Sequence, residues 1–211
     1  MRATEARLAD KDYAMILLAA GKSSRYGSNK LLEELDGGRM FEHTLRKMRA
    51  FPLCTQVAVT RFEEIERAAE AQGMLVVENW EPDLGISHSL RLGLQKALEE
   101  NPELKGAMFQ PGLTAATFAR MLDIGKKYPG KIVCAGRKGK MGNPVLWDRC
   151  FFDELSRLSG DKGGKQIIGA HMDDVLLCET EETELRDVDI PEQLTKWERD
   201  YGESGKSGEE T

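Results

Sequence analysis

Apolar and polar positions along the chain alternate between two periods. Tyr13 to Ala19 is an uninterrupted apolar run that stops at Gly21, the pattern of a strand buried on both faces. Met40 to Phe51 has apolar residues near helical spacing. Gln56 to Thr60 then reads as a second strand, and Phe62 to Gln72 as a charged amphipathic helix. Leu75 to Glu78 is a third strand, and Ile86 to Glu100 a helix introduced by Gly85 and Ser87. Ala107 to Phe109 reads as part of a strand. Thr114 is a suitable N-cap for a helix reaching about Tyr128. Ile132 to Ala135, Pro144 to Trp147 and Val175 to Cys178 are further strands. Arg149 to Leu158 and Lys165 to Ala170 are helices. Strands alternating with helices predict an α/β fold in a single domain, a mostly parallel central sheet flanked by helices. No repeat or linker divides the chain. The domain is expected over residues 13–200, with an N-terminal extension over 1–12 and a Gly-, Ser- and Glu-rich disordered tail from Gly202 to Thr211.

Bulk properties narrow the function. The 211 residues suit one domain with a real core. The formal net charge of −6 argues against non-specific nucleic-acid binding, while leaving room for a local basic patch. Cys54, Cys134, Cys150 and Cys178 are far apart and form no CxxC pair, so they read as free thiols in a reducing compartment. Met1 to Asp12 is charged and lacks the apolar core of a secretory signal. The apolar run Ala14 to Ala20 is too short to span a bilayer. A cytoplasmic protein with no membrane partner is expected.

The most informative segment follows the first strand: Leu18-Ala19-Ala20-Gly21-Lys22-Ser23-Ser24-Arg25-Tyr26-Gly27-Ser28-Asn29-Lys30. In an open α/β sheet, ligands bind beyond the carboxyl ends of the strands. Small residues let backbone N–H groups approach phosphate oxygens, Ser23 and Ser24 add hydroxyls, and Lys22, Arg25 and Lys30 add positive charge. A P-loop is excluded because Ile16 stands where its first glycine belongs. A dinucleotide fingerprint is excluded because only Gly21 and Gly27 are present. Spacing alone leaves a polyphosphate cradle and a solvated basic turn equally open.

The segment resembles the signature L-A-A-G-x-S-x-R-x-G-x-x-K of nucleotidyltransferases related to molybdenum cofactor cytidylyltransferase, with Gly21, Ser23, Arg25, Gly27 and Lys30 in register. Ala20 and Asn29 resemble the CTP-using branch rather than the GTP-using one. Four further segments are similar to family segments and occur in the same order. They are Gly85-Ile86-Ser87-His88-Ser89-Leu90-Arg91-Leu92-Gly93-Leu94, Gly142-Asn143-Pro144-Val145-Leu146, Ser159-Gly160-Asp161-Lys162-Gly163-Gly164-Lys165 and Asp187-Val188-Asp189-Ile190-Pro191-Glu192. Taken alone, each also reads as ordinary structure: a helix start, a strand-edge proline, a surface turn, a solvated carboxylate pair. Trp80 and Trp147 read as packing residues, and His88 and His171 have no metal-spaced partners.

The resemblance implies a Rossmann-like nucleotidyltransferase that moves CMP from CTP to molybdopterin cofactor, with Mg²⁺ as cofactor and a molybdenum hydroxylase apo-enzyme as a possible partner. It implies catalytic roles for Arg25 and Lys30. Nucleotide or acceptor contacts fall to Ala19, Ala20, Gly21, Lys22, Ser23, Ser24, Gly27, Ser87, Ser89 and Asn143, and metal ligation to Asp187 and Asp189. A related transferase with another phosphate acceptor, and a non-catalytic accessory protein for hydroxylase maturation, remain as alternatives. One departure bears on the choice. The family carries a metal-binding aspartate before a Gln-Pro pair, whereas here Gly106 to Phe109 runs directly into Gln110-Pro111. Either the aspartate is absent and the metal site is impaired, or about four residues of a strand of usual length are missing from the sequence between Phe109 and Gln110. The second explanation is preferred, because a central strand cut to a stub leaves backbone groups unpaired.

Overall fold

In the computed structural model the described residues are 9–21, 30–32, 34–35, 38–52, 54–109 and 114–180. The apolar run Tyr13–Ala19 is strand β1, with all seven residues buried. A short hairpin, β2 (Glu34–Leu35) and β3 (Gly38–Arg39), leads into helix α1 (Met40–Met48). Then come β4 (Thr55–Thr60), α2 (Glu63–Glu70), β5 (Leu75–Glu78), α3 (Ile86–Glu100), β6 (Gly106–Phe109) and α4 (Ala115–Lys127). The chain continues through β7 (Ile132–Arg137), β8 (Lys140–Asp148), α5 (Phe152–Ser156), α6 (Lys165–Ala170) and β9 (Val175–Glu179).

Seven strands form one sheet in the order β5-β4-β1-β6-β8-β7-β9. Only β8 runs antiparallel to its neighbours, β6 and β7. The mostly parallel α/β sheet expected from the alternation of elements is therefore present. Alternate residues of each strand face opposite layers. Met15, Leu17, Ala58 and Met108 pack with Phe41, Leu45, Ile65 and Phe118 from α1, α2 and α4. Ala14, Ile16, Val59 and Phe109 pack with Leu90, Leu94, Leu155 and Ile167 from α3, α5 and α6. Among the described residues no helix is long and apolar enough to cross a membrane.

Several boundaries differ from the sequence expectation for local reasons. Helix α1 ends at Met48 rather than Phe51. Its last turn loosens through Ala50 N–H to Lys47 O and Phe51 N–H to Met48 O, and Pro52 follows. Arg149 to Leu158 is not one helix but a 3₁₀ turn, Arg149–Phe151, followed by α5. The strands read at Ile132 and Pro144 are the two arms of a hairpin, β7–β8, turned by Lys138 and Gly139 at φ 49° and 78°. Lysine carries no sequence signal for that left-handed turn, so the hairpin was not legible. Thr114 caps α4 as expected, accepting from the Thr117 N–H at 3.3 Å.

Strand β6 pairs on both sides, with Tyr13 to Ile16 of β1 and with Val145 to Asp148 of β8. Residues 110–113, which hold the departing Gln110-Pro111 segment, lie outside the described residues. The N-terminal extension through residue 8 and everything from residue 181 lie outside them too, including Gly202 to Thr211.

Candidate nucleotide site at the carboxyl edge of the sheet

Parallel strands β1, β4 and β5 end level with one another, because Ala19 pairs with Thr60 and Thr60 with Glu78. The residues that leave these strands therefore emerge side by side on one edge. Ala20 is buried and Gly21 exposed, and a Cβ added at Gly21 would meet no atom within 4 Å. Thr60 Oγ1 donates to the Ala19 carbonyl at 3.3 Å, and Arg61 Nε donates to the Ala20 carbonyl at 3.2 Å. The exit of β1 is thus held from the neighbouring strand.

After β5 the chain turns through Asn79. Its buried side chain donates from Nδ2 to Ser89 Oγ at 2.8 Å and accepts the Glu81 N–H at 2.9 Å. Ser89 is thereby occupied by a structural bond. Ser87 is different: it is fully buried, and among the described residues its hydroxyl has no hydrogen-bond partner. An unpaired buried hydroxyl is costly, so it marks a place where a ligand group could be received. Both serines lie in the first turn of α3, and Ser89 meets Asn79 where the chain leaves β5.

The glycines of the same segment have packing roles. A Cβ at Gly93 would stand 2.4 Å from Ile16 Cγ2 and 2.9 Å from Val59 Cγ2, so only glycine lets α3 lie this close to β1 and β4. Gly85 has φ 85° and touches the backbone of Gly160. This contact joins the Gly85–Leu94 segment to Ser159–Lys165, two stretches that the sequence left unconnected. Gly164 packs against the ring of Trp147, which is buried as expected.

Asn143 also reaches this edge, from β8. The register between β7 and β8 shifts so that Cys134 pairs with Val145 but Ala135 with Gly142, and Asn143-Pro144 bulges out. Asn143 is exposed there, two strands from β1, or about 10 Å. Lys30 opens a 3₁₀ turn, Lys30–Leu32, and its side chain is outside the description. Lys22, Ser23, Ser24, Arg25 and Gly27 lie outside the described residues, as do Asp187 and Asp189.

Two sequence readings change. Trp80 is not a packing residue: it is 69% exposed, one residue past Asn79, with its indole N–H on Glu78 Oε2 at 3.0 Å. Arg61 was not singled out from sequence, and no motif spacing pointed to it; only the pairing of β4 with β1 brings it to Ala20. His88 contacts Arg91 Nη2 through Nδ1 at 3.2 Å and faces Glu81 at 3.8 Å. The shifted titrations lie away from this edge. Burial pushes the Tyr13 hydroxyl and the Cys54 thiol up to about 12, and the Cys134 thiol to about 11. The Lys131 ammonium, bonded at 2.7 Å, holds Asp174 below the usual carboxylate range.

Residues 15–175 match the model of the MobA-like NTP transferase domain. The chain belongs to that family. The transferase has no significant match among curated proteins. It is similar to a solved homolog of Mycobacterium tuberculosis Rv0371c from Mycobacterium sp. strain JC1, with 25% identity and a TM-score of 0.72 over 90% of this chain and 98% of that one. Rv0371c from M. tuberculosis H37Rv itself is 26% identical, with a TM-score of 0.70 over 88% and 96%. A manganese complex of Rv0371c matches at 23% identity and a TM-score of 0.68, over 88% and 97%. A nucleotidyl transferase from Methanothermobacter, Mth528, shares the fold at 19% identity and a TM-score of 0.70, over 87% and 94%. The transferase is thus a nucleotidyltransferase in class, and the carboxyl edge described above is where its strand-to-loop exits gather.

Proposed function

We propose that this nucleotidyltransferase transfers CMP from CTP to the terminal phosphate of molybdopterin cofactor and releases pyrophosphate. The observation that carries the reading is the Gly21 exit. Strand β1 ends at the carboxyl edge, and Gly21, which follows it, is exposed and in the sequence opens the glycine-serine-basic segment Gly21–Lys30. Ala20 and Asn29, which follow the cytidylyl pattern, support CTP over GTP.

In this reaction an acceptor phosphate oxygen attacks the α-phosphorus, and the bond to the β-phosphate breaks. The attacking oxygen is already anionic, so no general base is needed, and the protein's task is placement and charge neutralisation. Backbone at Ala19 to Gly21 faces the nucleotide, with Lys22, Ser23, Ser24 and Gly27 continuing the cradle. Arg25 and Lys30 neutralise the departing pyrophosphate. Ser87 receives a hydroxyl or phosphate oxygen, Ser89 keeps Asn79 in place, and Asn143 approaches the acceptor from β8.

Among the described residues no three His, Cys, Asp or Glu side chains gather as a metal site. The family resemblance gives metal ligation to Asp187 and Asp189: they have the spacing to share one side of an extended chain, and a hard cation with phosphate ligands needs only one or two carboxylates. Mg²⁺ bound there would offset charge at the α-phosphate. The manganese complex of Rv0371c supports a divalent cation in this fold.

One observation favours a second reading. Phe109 is followed directly by Gln110-Pro111, and a protein that lacks the family aspartate there would suit an accessory role, binding cofactor for a molybdenum hydroxylase without transfer. Turnover of labelled CTP with molybdenum cofactor decides between them, run beside GTP and with Asp187→Asn and Asp189→Asn titrated against Mg²⁺. Transfer from CTP that weakens in either variant is expected. Nucleotide binding with no transfer from the wild-type chain would establish the accessory role instead. Equal or faster transfer from GTP would overturn the base assignment.

A further inference from the structure

Arg61 stands where β4 leaves the sheet, one strand from the exit of β1, since Thr60 pairs with Ala19. Its Nε donates to the Ala20 carbonyl at 3.2 Å, and its guanidinium carbon lies 4.6 Å from the centre of the Phe62 ring. One residue earlier, Thr60 Oγ1 donates to the Ala19 carbonyl at 3.3 Å and accepts the Phe62 N–H at 3.1 Å. Thr60 and Arg61 therefore hold the last two carbonyls before Gly21, and Phe62 braces both of them. The bond at Nε and the stack on Phe62 fix the guanidinium plane, leaving the two terminal nitrogens as donors. Arg61 is half-buried, and among the described residues no carboxylate pairs with it. A fixed, partly desolvated cation without a counter-charge is unfavourable until an anion meets it, and a planar fork of N–H groups matches phosphate oxygens.

We propose that Arg61 is a further nucleotide-binding residue of this site. Its terminal nitrogens donate to a phosphate oxygen of the nucleoside triphosphate, while Nε positions the Ala20 carbonyl. The proposal rests on the nucleotide reading of Gly21–Lys30 and adds a group that lies outside that segment. It also accounts for the stacking on Phe62, which sets the direction in which the fork points.

Calorimetric titration of CTP and CMP tests it, using the full chain, Arg61→Ala and Arg61→Lys at two salt concentrations. Arg61→Ala is expected to weaken CTP binding by about ten- to a hundredfold, the scale of one charge-assisted hydrogen bond. CMP should lose much less, and the salt dependence of CTP binding should become shallower. Arg61→Lys keeps the charge and loses the fork, so it is expected to recover only part of the CTP affinity, and the result does not hang on one variant's folding. Unchanged CTP affinity in Arg61→Ala overturns the proposal. So does an equal loss for CTP and CMP, which would confine Arg61 to holding Ala20. If the unsubstituted chain binds no CTP, the nucleotide reading itself falls, and that failure appears before any substitution is made.

Discussion

Gly85 lies against Gly160 so closely that a Cβ on Gly85 would stand 2.5 Å from the Gly160 carbonyl carbon and 2.6 Å from its oxygen. Two segments 75 positions apart in sequence numbering (160 less 85) thus share one contact at the start of α3. Gly85 also has φ 85° and ψ 175°, a region that side chains other than glycine do not tolerate.

Gly85→Ala is therefore expected to cost about 1–3 kcal/mol from backbone strain alone, with more from the displaced Gly160 turn. Urea unfolding of the variant measures it. A midpoint within error of the parent protein would show that the turn at Gly160 yields freely.

Gly93→Ala tests the close approach of α3 to the sheet. The added methyl meets Ile16 and Val59, whose side chains are fully buried. Overpacking of this kind costs about 1–3 kcal/mol. The same change at an exposed helix position would be stabilising, since alanine is the better helix former. A rise in Tm would contradict the packing described.

Arg25→Ala is expected to weaken CTP binding by about 1.5–3 kcal/mol, the range for a hydrogen bond to a charged group. Calorimetry reads it directly. An unchanged affinity would remove Arg25 from the proposed phosphate cradle.

How much of this was legible in sequence follows from what each signal depends on. The run Tyr13 to Ala19 gave β1 with both ends correct, because a strand buried on both faces has no polar position to blur it. Ile86 to Glu100 was equally clear, since Gly85 precedes an uninterrupted helical pattern. The β7–β8 hairpin was not clear, because its turn uses Lys138 at positive φ. The Gly21 segment was found through local composition. Arg61 was not, because its relation to Ala20 exists only across two paired strands. Trp80 was misplaced for a similar reason: an aromatic residue next to a strand reads as core, and only the turn at Asn79 carries it outward.

Alkaline pH should destabilise the protein through its thiols and Tyr13. Burial raises the Cys54 thiol to about 12 and the Cys134 thiol to about 11 from an ordinary value near 9, and raises Tyr13 from 10 to about 12. Each group is neutral in both states below its ordinary value, so its full contribution is present there. As pH rises from 9 towards 12, the unfolded chain gives up these protons first, and stability falls. Urea midpoints between pH 8 and pH 11 check this, and a flat profile would contradict the burial of Cys54 and Cys134.

The contact of Gly93 with β1 has one more consequence. With no side chain on α3 at this point, the methyl groups of Ile16 and Val59 seat directly against the helix backbone, so these two side chains set the spacing of α3 from β1 and β4. The first turn of α3, which carries Ser87 and Ser89, is thereby kept at a fixed height above the sheet. Side chains along the carboxyl edge can then be exchanged while the seat of α3 on the sheet stays the same.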